Sequence, residues 1–195
     1  MDFATLKSRL LAQIGRAPSD LCYELVTAEI NEKLRLLDMA TEVTFPLAET
    51  YTLPSDFLEV ESAHNLINDQ FYPIEAMGAS SYVAARRNVT FPYFYRIVGG
   101  TMEINGATGG GTVYLRYYQR QADLSADADT NEVLTNHPAV YVYGVLAHHA
   151  ALIRDTTALQ VHFPAYERAV QQVIAHDNSA RMGGNIAGPR PRTAP

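Results

Sequence analysis

The apolar positions change period twice along the chain. Phe3, Leu6, Leu10, Leu11 and Ile14 follow helical spacing and stop at Gly15, which predicts a short first helix. Ser19 is a candidate N-cap for a second helix. In that helix Cys22, Val26, Ile30, Leu34 and Leu37 make one stripe running to about Met39. From Thr41 the period becomes two. Thr41–Phe45, Glu49–Leu53, Leu58–His64, Phe71–Ile74, Tyr93–Val98, Thr101–Ile104 and Thr112–Tyr118 each read as a strand. Gly99-Gly100 sits where a tight hairpin turn needs positive φ. Ala76–Arg87 reads as a short helix between strands.

Helical spacing returns at Pro138, whose missing N–H suits a first turn. The helix through Ile153 is apolar nearly all round: Val140, Gly144, Ala147 and Ala151 on one face, Val142, Leu146, Ala150 and Ile153 on another, Tyr141, Val145 and Leu152 on a third. Such a helix is buried on most sides or lies between subunits. Tyr141, Val145 and His148 are therefore candidate subunit-interface residues. After a turn at Arg154–Thr157, a final helix with a single buried stripe (Phe163, Tyr166, Val170, Val173, Ile174) is expected, with Pro164 in its first turn and Gly183-Gly184 at its end.

Helices first, strands in the middle and helices last imply an α+β chain. The expected architecture is a bundle of N- and C-terminal helices with a small, mostly antiparallel sheet domain inserted between them, plus an extended C-terminal arm. The boundaries read as 1–40, 41–122, 123–182 and 183–195.

Composition narrows the function. An apolar fraction of 47% supports a real core, and a formal net charge of −6 argues against a protein that coats nucleic acid. Cys22 is the single cysteine, so no internal disulfide forms, and its place on an apolar stripe reads as core. No apolar run is long enough to span a bilayer, and the first residues lack the order of a signal peptide.

Catalytic and metal patterns are not assembled. His148 and His149 are adjacent, so on a helix they face different directions and do not chelate as an i,i+4 pair would. The Gly106–Thr112 loop is rich in glycine but has no lysine and joins two strands, unlike a phosphate loop. Asp56, Glu59 and Glu61 read as a solvated face. Asp127, Asp129 and Asn131 alternate as calcium ligands do, but the central glycine and distal glutamate of that motif are missing. The segment 123–132 reads as an acidic loop with a helix-capping role. No cofactor and no metal is expected, and no enzyme activity. The tyrosines Tyr93, Tyr95, Tyr114, Tyr117 and Tyr118 would permit a carbohydrate- or host-binding module, though packing explains them as well.

An ordered series of short segments resembles a known family. It comprises Ala28-Glu-Ile-Asn-Glu-Lys-Leu-Arg35, Tyr51-Thr-Leu-Pro-Ser-Asp-Phe-Leu-Glu-Val60, Pro73-Ile-Glu75, Pro92-Tyr-Phe-Tyr95, Thr112-Val-Tyr-Leu-Arg-Tyr-Tyr118, Leu124-Ser125 and Tyr141-x-Tyr-Gly-Val-Leu-Ala-x-x-Ala150. This order is similar to that of the head-to-tail adaptors of tailed bacteriophages and related gene transfer agents. Glu32 departs from it, since the family often has arginine there.

The resemblance implies a structural virion protein made in the host bacterial cytoplasm. It implies a dodecameric ring of copies under the capsid portal ring, extending the DNA channel and meeting a tail or nozzle protein below. Genomic DNA would pass without sequence-specific contacts, and no membrane is involved. Another neck or tail-completion protein is the nearest alternative. The segment 183–195 has no core-forming pattern and only arginine as charge, so it is expected to gain order by binding. The resemblance directs such an arm to the portal, which makes Ile186, Pro189, Arg190, Pro191 and Arg192 candidate portal-binding residues. Asp123, Asp127, Asp129 and Glu132 are candidates for an acidic channel lining that repels phosphate.

Overall fold

A computed structural model describes residues 1–78, 81–82, 93–105 and 110–183. The chain forms two compact units, one of residues 1–39 and 121–195, the other of residues 40–120.

The described residues of the first unit form five helices: α1 (Phe3–Ile14), α2 (Asp20–Lys33), α3 (Glu132–Asn136), α4 (Pro138–Leu152) and α5 (Thr156–Gly183), with a 3-10 turn at Leu37–Met39. α4 is the hub, with α1, α2, α3 and α5 each packing on it. Its all-round apolarity is therefore satisfied largely within the protomer. Val140, Tyr141, Val145 and Leu146 have essentially no exposed surface. Gly144 marks the closest approach. A Cβ there would lie 2.8 Å from Val26 Cγ2 on α2 and 3.0 Å from the Tyr166 ring on α5.

Buried polar groups close this unit. The side chain of Asn31 imitates a strand partner: its Nδ2 donates to the Gln121 carbonyl (3.1 Å) and its Oδ1 accepts from the Gln121 N–H (2.7 Å). The Tyr141 hydroxyl lies 3.1 Å from the Thr27 hydroxyl and accepts from Asn131 Nδ2 at 2.7 Å. Burial raises the Tyr141 pKa, and those two partners oppose the shift.

The second unit is a seven-stranded sheet: β1 (Ala40–Pro46), β2 (Thr50–Thr52), β3 (Phe57–Ile67), β4 (Gln70–Ala76), β5 (Tyr93–Val98), β6 (Thr101–Asn105) and β7 (Thr112–Gln119). Its order is β1-β7-β3-β4-β5-β6-β2. All pairs are antiparallel except β4 with β5. β4 pairs with β3 through Pro73 and with β5 from Ile74, so it is shared between two half-sheets. β1 and β2 lie at opposite ends of this order, yet only Leu47, Ala48 and Glu49 separate them in the chain. The sheet must roll until its two edges are adjacent. Leu47 N–H donates to the Gly111 carbonyl, Ile104 N–H donates to the Glu49 carbonyl, and the Phe45 and Tyr51 rings stack at 3.6 Å across that join. The inward positions, including Ala63, Ile74, Met102, Ile104, Val113 and Leu115, fill the enclosed core.

The expected architecture is corrected by this arrangement. The sheet is not a small insert enclosed by a helical bundle. It is a curled seven-stranded element, and the helices flank it along the chain. The helices do not form a ring of mutual neighbours either, since they converge on α4. Two element boundaries also differ. α2 ends at Lys33, where Leu34 turns extended (φ −104°, ψ 140°). Leu34 and Leu36 are then both buried at a spacing of two, and Arg35 donates to the carbonyls of Asn31 and Leu34. α5 begins at Thr156, not beside Pro164, because Asp155 accepts from the Ala158 N–H at 2.9 Å and caps it. Pro164 therefore lies inside the helix. The expected helix over Ala76–Arg87 falls mostly outside the described residues.

Candidate functional site

An apolar groove of about 570 Å³ lies between α4 and α5. Ala147 and Ala151 form its floor, one helical turn apart, where the small side chains leave space. Leu159, Phe163, Pro164 and Tyr166 supply the α5 wall. Phe163 is 48% exposed, and Tyr143, one turn before Ala147 on the same stripe of α4, is also exposed. Pro164 has no N–H to donate to the carbonyl of Gln160, the residue four before it. That acceptor is left without its helical donor on a residue that itself lines the groove.

Glu29 of α2 ties the rim together. It accepts from the Tyr166 hydroxyl at 3.0 Å and from Lys33 at 3.1 Å, and His148 Nε2 lies 3.1 Å away. Burial works to raise the Glu29 pKa, but Lys33, Tyr166 and His148 outweigh it and hold the carboxyl below its ordinary range. Burial, then the Glu29 charge, pushes the Tyr166 phenol well up. On the opposite flank of the same helix pair a smaller hollow of about 330 Å³ is lined by Ile14, Arg16, Leu146, His149, Ile153 and His162, among others. There His149 Nε2 accepts from Arg16 Nε at 3.1 Å. Burial, then the Arg16 charge, lowers the His149 pKa.

Tyr141 and Val145 have no exposed surface left for a neighbour, whereas His148 reaches the groove rim. The expectation that His148 and His149 face different ways matches the structure, since they serve opposite flanks of one helix. Asp123, Asp127, Asp129 and Glu132 fall on one surface loop and the start of α3. Asp123, Asp127 and Glu132 are exposed. Asp127 pairs with Lys7. Asp129 accepts from the backbone N–H groups of Ala126 and Ser125 and from the Ser125 hydroxyl, which lower its pKa in that order of residues. Asn131 accepts from the Leu134 N–H and caps α3. These bonds give the loop a local structural role, and among the described residues no cluster of His, Cys, Asp and Glu is arranged to hold a metal. No helix among the described residues is long and apolar enough to cross a membrane. Ile186, Pro189, Arg190, Pro191 and Arg192 lie outside the described residues.

The α4–α5 groove was not read from the sequence. Its signals were present: the small stripe Ala147–Ala151 beside Tyr143, and a proline deep inside a helical pattern. The small stripe equally suits close backbone approach, and a helix start at Pro164 hides the proline's place inside α5.

The sequence matches the profile of the SU10 adaptor protein over residues 1–190, across both units, so the chain belongs to that family of phage head-to-tail adaptors. Comparison with individually curated proteins finds no match.

Proposed function

We propose that this protein assembles as a dodecameric ring beneath the capsid portal, extends the DNA channel and offers its lower surface to a tail or nozzle protein. Its role is structural and not enzymatic. The observation that carries this reading is the family match over residues 1–190. The helical unit adds support. Leu152, Ile153, Val161 and Phe163 remain exposed on α4, on α5 and at their junction, after α4 has buried its own faces within the chain. Phe163 shares the apolar groove with Ala147, Ala151 and Leu159, and contiguous apolar surface of that kind marks protein contacts. Within the ring, the exposed carboxylates Asp123, Asp127 and Glu132 would face the channel and repel the phosphate backbone, so that DNA slides without specific contacts.

The test is the mass of the purified full-length protein, alone and mixed with the portal ring of the same virus. The expected result is a complex carrying twelve copies on one portal. A protein that remains monomeric and binds no ring refutes the reading. A map of the assembled channel whose wall lacks Asp123, Asp127 and Glu132 refutes the lining.

A further inference from the structure

We infer that the two flanks of the α4–α5 pair mate head to tail between copies of this chain: Phe163 on the groove flank of one copy enters the hollow lined by Ile14, Arg16 and Ile153 on the next. The inference rests on the ring reading and deepens it, because it names the two faces through which neighbouring copies would meet.

The two flanks are complementary in shape and in polarity. Phe163 stands half exposed at the groove edge. The hollow, at about 330 Å³, is larger than one phenyl ring, and Ile14, Leu146, Ala150 and Ile153 give it apolar walls. Arg16 lies at the same hollow. Its Nε donates to His149, and among the described residues no carboxylate pairs with it, which leaves the terminal guanidinium nitrogens for a partner. A guanidinium over an aromatic ring gains a cation–π contact. It also needs an acceptor, and the groove flank has one a turn before Phe163: the Gln160 carbonyl, from which Pro164 withholds the helical donor. The flank with a spare acceptor carries the aromatic side chain, and the flank with spare donors carries the socket.

Direction decides between a self-paired dimer and a ring contact. Ala147, His148 and Ala151 of α4 line the groove, and Leu146, His149 and Ala150 line the hollow. At about 100° per residue, the two sets point roughly 150° apart around the helix axis. A face that meets itself closes a two-fold dimer. Two different faces turned nearly away from one another join copies head to tail, and such contacts close into a ring when the rotation between copies allows it. Both faces belong to the helical unit alone.

The experiment uses full-length chains, each with one new cysteine at an exposed position beside the contact: Ala17→Cys next to Arg16, or Glu167→Cys one turn after Phe163. Cys22 has no exposed surface and stays silent. The two chains are mixed at millimolar concentration and treated with a short bis-maleimide, and the same treatment is given to the mixture on the portal ring. The expected product links position 17 of one chain to position 167 of the other, and either chain alone should give little. Phe163→Glu, added to the Glu167→Cys chain, should cut that product at least about tenfold, the scale of a lost interface anchor. Phe163 is half exposed, so this variant should keep the circular dichroism of its parent. Absence of the mixed product in both settings overturns the proposal, as does equal linking within each chain alone, or a yield indifferent to Phe163→Glu. Portal binding that Phe163→Glu abolishes, without the mixed product, gives this side chain to the portal and overturns the proposal too. Twelve copies on a portal without the mixed product overturn this contact and leave the ring standing, so the two failures are distinguishable.

Discussion

Gly144→Ala tests the packing of α4 most directly. In an isolated helix the change is favourable by about 1 kcal/mol, because alanine has the best helix propensity and glycine nearly the worst. In this protein the new methyl would sit 2.8 Å from Val26 Cγ2 and 3.0 Å from Tyr166 Cε2. Neither neighbour gives way cheaply. Val26 is fully buried and β-branched, so its χ1 is nearly fixed in a helix. The Tyr166 ring is held by its hydroxyl bond to Glu29. Overpacking a tight core costs about 1–3 kcal/mol, and two immobile neighbours put this site in the upper half of that range. Subtracting the propensity gain leaves a net destabilisation of about 1–2 kcal/mol. For a chain of this size that is a fall in Tm of about 2–8 °C, read by thermal melts at the helical far-UV band. Val26→Ala in the same chain should recover part of the loss, giving a favourable coupling in a double-mutant cycle. An unchanged or raised Tm for Gly144→Ala would show that α2 and α5 do not close on α4 at this residue.

Other expectations follow from the same unit. Asn31→Ala removes both bonds to Gln121 and leaves a buried N–H and carbonyl unpaired, so urea unfolding should show a loss of about 2–3 kcal/mol. Tyr141→Phe should cost less, about 1 kcal/mol, because Thr27 keeps its bond to the Tyr23 carbonyl and Asn131 keeps its bond to the Ala122 carbonyl. The His149 pKa is lowered in the fold, so the unfolded chain binds the proton more readily. Its contribution is present above the ordinary histidine value of 6.5 and is lost as pH falls through the lower folded value. A His149→Gln variant should show a flatter Tm-against-pH curve over that interval, and an identical slope would contradict the assignment.

The local patterns were legible where one physical rule acted alone. Alternation located all seven strands, and Gly99-Gly100, with φ of 56° and 79°, forms the turn expected of it. Pro138 starts α4 as a first-turn proline should. Legibility failed where a tertiary partner outweighed the local pattern. The stripe through Leu34 and Leu37 suits a continuing helix, yet Leu34 and Leu36 are buried by turning extended. Pro164 looked like a start signal, yet Asp155 had already capped the helix two turns earlier. The apolar faces of α4 allowed two burials, within the chain or between chains. Only the positions of α1, α2, α3 and α5 show that Tyr141 and Val145 are used internally. The order of the strands, and so the rolling of the sheet, depends on pairings distant in sequence that no local pattern encodes.

The clasp between Asn31 and Gln121 joins residues 90 positions apart, which has a consequence during synthesis. At about 5–20 residues per second, the ribosome needs roughly 5–18 s to deliver Gln121 after Asn31. α4, the hub on which α1 and α2 pack, comes later still. The rolled sheet, being contiguous from residue 40 to 120, is complete before α4 exists. α1 and α2 therefore emerge with Leu6, Leu10, Val26 and Ile30 uncovered and wait for residues 138–152. That interval is when the nascent protein is most exposed to chaperones and to aggregation, and a virus producing many copies at once would lengthen the queue of such half-built chains.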